Sequence, residues 1–143
     1  MAETSTSPNR PEVIAFLEAI KENPGDDTVR LILSDWLEEQ DDPRGSFLRQ
    51  ETELASIPAF GEEYWKLRRQ RHALWRKNGH EWLGPLTPFI GESGPYKPAT
   101  TRGLLALTTH SSFLEHSKLI ALAECEAWAW LEEISIGISP RAL

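Results

Sequence analysis

The sequence predicts a mainly α domain of the α+β class, in which four helices pack on a small C-terminal strand–helix–strand unit. Two observations lead to this prediction. Apolar residues recur at helical spacing in four segments before residue 84, and strand-like segments flank one further helical segment after residue 102. The chain has 143 residues, of which 40% are hydrophobic, so it is long enough to bury one packed core.

The first two helices are expected on either side of the turn Asn23-Pro24-Gly25. Asn9 and Glu12 have the spacing of a capping box at the start of the first helix. An aspartate at position 26 or 27 caps the second helix, which runs to about residue 40. The residues predicted to face the core are Val13, Ile14, Phe16, Leu17 and Ile20, followed by Val29, Ile32, Leu33, Trp36 and Leu37.

The third and fourth helices follow the same logic. Asp42-Pro43 reads as an N-cap followed by proline at the first helical position, and this helix ends near Pro58. The fourth helix spans about residues 61–77. Short connections predict antiparallel packing of neighbouring helices. The apolar sides of the two helices contain Phe47, Leu48, Leu54 and Ile57, then Tyr64, Leu67, Leu74 and Trp75.

Composition divides the chain into four parts. Residues 1–9 are expected to be a disordered terminus, 10–83 the helical part, 84–101 a Pro/Gly-rich loop, and 102–143 the strand–helix–strand unit. In the last part, residues 103–108 and 131–138 read as strands, and a second capping box at Ser112 opens a helix to about residue 126. This order predicts two parallel strands, which need support from the helices or from a further strand.

Charge and composition exclude several classes of function. The formal net charge of −7 argues against nucleic acid as the main partner, because such binding depends on Lys and Arg. A single cysteine excludes an internal disulfide and a cysteine-based zinc site. No apolar run approaches the length of a membrane span, and the first residues are polar. We expect a cytoplasmic protein that uses no cofactor and does not bind a membrane.

The motifs Asp35-Trp36-Leu37-Glu38-Glu39 and Asp42-Pro43-Arg44-Gly45 resemble the bacterial repeat-companion domain. The preceding helix, the Asn23-Pro24 turn and Arg30-Leu31 stand in the order and spacing of that family. The resemblance is strongest over residues 13–50. It implies a short helical module of the kind that precedes leucine-rich-like repeats, with Arg102-Gly103 at the entry into a unit that resembles a truncated leucine-rich repeat. It implies no established activity.

The sequence contains no recognisable catalytic or metal-binding constellation. Cys125 lies between Glu124 and Glu126, whose negative charges disfavour a reactive thiolate. The histidines at positions 72, 80, 110 and 116 lack the spacing of a helical metal pair. We therefore expect neither a catalytic residue nor a metal ligand, and the protein is predicted not to be an enzyme.

Acidic residues cluster at the end of the second helix. Glu38, Glu39 and Asp41 form either a solvated acidic face or a partner-binding surface. Asp35 is expected to have a structural role, either by accepting hydrogen bonds from the following turn or by pairing with Arg44.

Basic residues cluster in the fourth helix, with aromatic side chains between them. The pattern allows two interpretations: binding of single-stranded nucleic acid, or an intramolecular contact with the acidic second helix. The basic residues are Lys66, Arg68, Arg69, Arg71, Arg76 and Lys77, interleaved with Trp65, His72 and Trp75. The candidate nucleic-acid contacts among them are Arg68, Arg69, Arg71 and Arg76.

Trp128 and Trp130 stand where the chain enters the last predicted strand, two residues apart and so on one face of it. They either close the gap between sheet and helices or form an exposed aromatic anchor for a partner. The leading hypothesis is a non-catalytic protein-interaction or adaptor module, with self-association through the edge of the C-terminal strand as one mode. The alternatives are a nucleic-acid-associated regulator and an accessory subunit of an enzyme complex.

Overall fold

The computed structural model describes residues 9–84, 86, 99–110 and 125–137. These residues form a mainly helical protein with a small three-stranded sheet in its C-terminal part, as the sequence predicts. The elements are α1 (Pro11–Glu22), α2 (Asp27–Glu39), α3 (Pro43–Ser56), α4 (Glu62–Leu83), β1 (Ala99–Thr101), β2 (Leu104–His110), α5 (Glu126–Ala129) and β3 (Leu131–Gly137). Of the terminus predicted to be disordered (1–9), residues 1–8 lie outside the described residues, as do most of the predicted loop and crossover helix.

Consecutive helices pack on one another, α1 on α2, α2 on α3 and α3 on α4. The predicted caps of α2 and α3 are confirmed, since Asp26 and Asp42 each accept a hydrogen bond from a backbone N–H two residues on, at 2.9 Å. The capping box at α1 is wrong. Arg10 is the N-cap of that helix, and the side chain of Asn9 instead accepts a hydrogen bond from the backbone N–H of Glu126.

The buried face of α2 is rotated from the predicted stripe. Leu33 and Leu37 are fully buried as expected, but Ile32 is 48% exposed. Arg30 and Ser34 are buried in its place, so the core-facing positions run Arg30, Leu33, Ser34 and Leu37. Ser34 satisfies its hydroxyl by donating to the backbone oxygen of Arg30 at 2.9 Å. The charged residue Arg30 thus occupies a core-facing position, which the hydrophobic pattern of the sequence does not predict.

Gly45 sets the separation of α2 and α3. A Cβ atom at this position would lie 2.8 Å from the backbone oxygen of Ser34 and 2.9 Å from the backbone nitrogen of Glu38. Both atoms belong to the backbone of α2, so they cannot move aside as a side-chain end would. The glycine of the Asp-Pro-Arg-Gly motif is therefore required by close helix packing.

The fourth helix continues beyond its predicted end at about residue 77. It passes through Gly79 and ends at Leu83, with Gly84 as its C-cap. At Gly79 a side chain would meet the indole of Trp75 at 2.9 Å, so the glycine makes room for that ring. Trp75 and Trp82 then pack on Phe47 of α3, with ring centroids 5.7 and 5.1 Å from that of Phe47.

The sheet has the order β1-β2-β3. β2 and β3 are parallel, as predicted for a strand–helix–strand unit. β1 is the additional strand that the predicted pair needed, and it pairs antiparallel with β2. Its residues 99–101 fall within the segment that composition assigned to a loop, so that boundary is wrong. The strand consists of only three residues, one alanine and two threonines, which are too few to show the alternating pattern that predicts a strand.

A two-residue turn joins β1 to β2 in a hairpin, and this turn packs against the helices. Arg102 and Gly103 both have positive φ, 49° and 94°, the conformation of a type I′ turn. The Gly103 N–H donates to Glu51 at 3.0 Å, and the Arg102 guanidinium pairs with Asp27. Arg30 reaches the same turn, where its Nε donates to the backbone oxygen of Arg102 at 3.1 Å.

Arg30 also binds the turn between α1 and α2, since its Nη1 donates to the backbone oxygen of Pro24 at 2.7 Å. One buried guanidinium thus connects α2, the preceding turn and the hairpin. Within the described residues, no helix combines the length and apolar character needed to cross a membrane.

The first testable prediction concerns Gly45. We expect Gly45→Ala to lower the free energy of unfolding by about 1–3 kcal/mol, because the added methyl group forces α2 and α3 apart. Urea denaturation followed by circular dichroism measures this change. Gly25→Ala is the matched control, since no atom lies within 4 Å of its added Cβ. Equal stability of the two variants would contradict the proposed role of Gly45.

Candidate functional site

The acidic residues at the end of α2 are held by an arginine of α3. Arg49 pairs with Asp35 and with Glu38, the latter at 2.8 Å. The predicted pair of Asp35 with Arg44 is wrong: Asp35 is mostly exposed and binds Arg49, whereas Arg44 is buried. Glu39 and Asp41 are exposed. In the described structure this acidic face is therefore partly neutralised by Arg49 of α3, which leaves Glu39 and Asp41 as its charges without an ion-pair partner.

Arg44 lies in the interior, where it does not compensate the acidic cluster. Its side chain is 5% exposed, and its Cζ lies 3.8 Å from the ring centroid of Trp130 and 5.4 Å from that of Trp82. Its Nε is buried and has no hydrogen-bond partner in the described structure. Burial lowers the pKa of this guanidinium to about 9, so it remains protonated at neutral pH.

An ion network lies beside Arg44. Arg10 donates to Glu126 at 2.8–3.0 Å through its backbone N–H, Nε and Nη2, and to Asp42 at 2.9 Å. Burial alone would raise the pKa of Glu126, but hydrogen bonds from Arg10 and from the Trp130 indole outweigh it and lower the pKa. The network links the start of α1 and the cap of α3 to α5.

Both tryptophans near the C-terminus precede the strand. Trp128 lies in α5 and Trp130 is its C-cap, so they do not share a strand face as predicted. Trp130 is fully buried and belongs to the core. This burial removes Trp130 from the candidate partner-binding surface, whereas Trp128 is half-buried. β3 is an outer strand of the described sheet, so self-association through its edge stays a prediction.

The motif residue Trp36 is half-buried on α2, and the Arg10 guanidinium lies 5.9 Å from its ring centroid. Of the four singled-out motif residues, Arg44 and Gly45 are buried, and Trp36 is partly buried against the core. Asp35 alone faces solvent.

The basic residues of α4 divide between its two faces. Arg71 faces α3 and pairs with the buried Glu51. The predicted contact with the acidic α2 is not formed in the described structure, because α3 lies against α4 and its Arg49 takes the acids of α2. Arg68, Arg69 and Arg76 are exposed on the opposite face.

This outer face forms a shallow groove of about 480 Å³. Its lining contains three arginines, one histidine and two apolar or aromatic residues, and no carboxylate. We call this surface the α4 groove; it comprises Trp65, Arg68, Arg69, His72, Ala73 and Arg76. In a chain of net charge −7, it is a surface of concentrated positive charge.

An exposed aromatic cluster lies at one end of the α4 groove. It consists of Phe60, Tyr64 and Trp65, whose ring centroids are 5.2–5.9 Å apart. Phe60 is 72% exposed and Trp65 is 41% exposed. Arg68 contacts the cluster, with its Cζ 5.7 Å from the Trp65 ring centroid and a 3.1 Å hydrogen bond to the Tyr64 hydroxyl. The sequence does not predict a role for Phe60, because one aromatic residue in a turn belongs to no periodic pattern.

The described residues contain no group of three or more His, Cys, Asp or Glu side chains that could hold a metal ion. Cys125 is half-buried at the N-cap of α5. The chain matches no protein-family model, no curated protein and no solved structure.

The second prediction tests the Arg10 network. Arg10→Met leaves the buried Glu126 without its cation, and we expect a loss of about 3–5 kcal/mol in the free energy of unfolding at neutral pH. Arg49→Met is the matched control: it also removes an arginine that binds two carboxylates, but at an exposed site, where a loss below about 1 kcal/mol is expected. Chemical denaturation measures both. A loss at Arg10 no greater than that at Arg49 would show that burial does not strengthen the network.

Proposed function

We propose that this protein is a non-catalytic protein-interaction module that binds an acidic, partly apolar segment of a partner protein along the α4 groove. The observation that carries the proposal is the outer face of α4, where exposed arginines adjoin an exposed aromatic cluster. This location differs from the acidic turn and the C-terminal strand that the sequence suggested.

The charge of the α4 groove supports an acidic partner. Arg76 follows Arg68 and Arg69 by eight and seven residues, so the three lie on one side of α4 over about two turns. None of the three takes part in an ion pair within the described structure. A complementary row of carboxylates could approach them at small desolvation cost, which favours fast, salt-sensitive association.

The aromatic cluster supports a protein segment with apolar residues. Phe60 and Trp65 expose large apolar surfaces side by side, and aromatic residues with arginine are the types that contribute most at protein interfaces. Covering these rings removes apolar area from water, a gain that a purely acidic ligand cannot supply.

Single-stranded nucleic acid is the second candidate. Exposed Trp65 and His72 could stack on bases while the arginines contact phosphates. The net charge of −7 opposes it, because a polyanion is repelled by the rest of the surface. A short acidic segment carries far less charge and is repelled less.

We also propose that the helical part is a repeat-companion domain and that the protein works in the cytoplasm. The motif residues support the first statement, because Arg44 and Gly45 occupy positions that few other residue types could fill. The absence of a described helix that could span a membrane is compatible with the second.

The third prediction tests the α4 groove with two fluorescein-labelled probes, a synthetic peptide of mixed glutamate and leucine residues and oligo(dT). Fluorescence anisotropy at low salt should show binding of the peptide. Arg69→Glu combined with Arg76→Glu should weaken it at least about tenfold, because two attractive charges become repulsive. Lys66→Glu combined with Lys77→Glu is the matched control, since it changes the net charge equally on the same helix but outside the groove.

Retention of peptide binding by the lysine control supports a defined groove. Equal loss in both double variants would mean non-specific attraction and would overturn the site. Tighter, steeply salt-dependent binding of oligo(dT) would favour the nucleic-acid candidate instead. Phe60→Ser should weaken peptide binding without changing the melting temperature.

A further inference from the structure

A second cavity shares no lining residue with the α4 groove. It has a volume of about 290 Å³ and opens between the start of α1, the α2–α3 turn, the end of α4 and α5. We call it the Arg44 pocket. Its inner wall contains Arg44, Trp82 and Trp130, and its other lining residues include Asp41 and Glu81.

The inner wall holds the positive charge of Arg44, which Asp42 and Glu126 offset only from a distance. Arg44 is buried, forms no ion pair in the described structure, and has an Nε without a partner. The nearby acids Asp42 and Glu126 are both bound by Arg10. Asp42 and Glu126 act on the Arg44 charge without forming an ion pair with its guanidinium, so an incoming carboxylate would supply the direct, charge-assisted contact that this group lacks in the described structure.

The remaining lining offers negative charge. Asp41 and Glu81 are exposed and have no cation partner in the described structure. They would repel a simple anion but attract an ammonium group. A simple cation would be repelled at the inner wall by Arg44, whose guanidinium lies over one face of Trp130 and near Trp82.

We propose that the Arg44 pocket binds a small zwitterion of the amino-acid type, with its carboxylate at Arg44 and its ammonium at Asp41 and Glu81. The volume restricts the ligand to about the size of one amino acid, since pockets for larger molecules start near this size. The apolar surfaces of Ala127 and Trp82 would contact its side chain. A residue within a peptide lacks one or both of the required charges.

The fourth prediction uses the individual proteinogenic L-amino acids as probes in thermal-shift and calorimetric titrations. We expect at least one to raise the melting temperature and to bind with a single site. Its N-acetyl and its amide derivatives should bind at least about tenfold more weakly, because each lacks one of the two charges. Binding of either derivative as tightly as of the parent amino acid would overturn the proposal, as would failure of every amino acid to bind.

Two sets of variants locate the site. Asp41→Asn with Glu81→Gln changes only exposed side chains, so the unliganded protein should melt at the same temperature but bind the amino acid at least about tenfold more weakly. Arg69→Glu with Arg76→Glu should leave this binding unchanged. If the Arg69→Glu/Arg76→Glu variant lost amino-acid binding and the Asp41→Asn/Glu81→Gln variant kept it, the ligand would bind in the α4 groove, and the proposal for the Arg44 pocket would be overturned.

Discussion

Guanidinium groups that are buried or partly buried hold the helical part and the sheet together. Arg30 connects the α1–α2 turn to the β1–β2 hairpin, and Arg10 connects the α3 cap to α5. Arg44 fills the space between Trp82 and Trp130. Arginine suits these positions because its planar fork reaches several acceptors at once and its flat faces stack on indole rings. A lysine could supply one such contact but not the set.

The arginines of this chain therefore have two distinct roles. Those facing inward, such as Arg10 and Arg30, bind carboxylates and backbone oxygens. Those on the outer face of α4 form no ion pair within the described structure, although Arg68 donates to the Tyr64 hydroxyl. The inward set explains how an acidic protein can keep charged residues in its core. The outward arginines give the α4 groove a positive charge, opposite in sign to the net charge of the chain. The proposed interaction function depends on this division, because arginines that are already engaged in ion pairs are not available to a partner protein.

Much of the fold could be predicted from the sequence because it depends on local patterns. Apolar spacing and the caps at Asp26 and Asp42 define α2 and α3, and alternation defines β3. The predictions fail where contacts between residues far apart in sequence determine the structure. Arg30 is buried because a hairpin 72 residues away supplies its acceptor. Asn9 leaves its expected cap for the backbone of Glu126. The aromatic cluster and the Arg44 pocket combine residues that no single helical or strand period brings together.

Native-state hydrogen exchange of Arg30→Met tests the central claim most directly. The amide of Leu105 in β2 donates to the backbone oxygen of Trp130 at 2.9 Å, and Leu48 reports on α3. If Arg30 holds the sheet on the helices, its loss should let the sheet unfold locally while the helices stay folded. In the variant, the free energy of opening measured at the Leu105 amide should then be lower than that measured at the Leu48 amide. An equal opening free energy at the two amides in the variant would contradict the account.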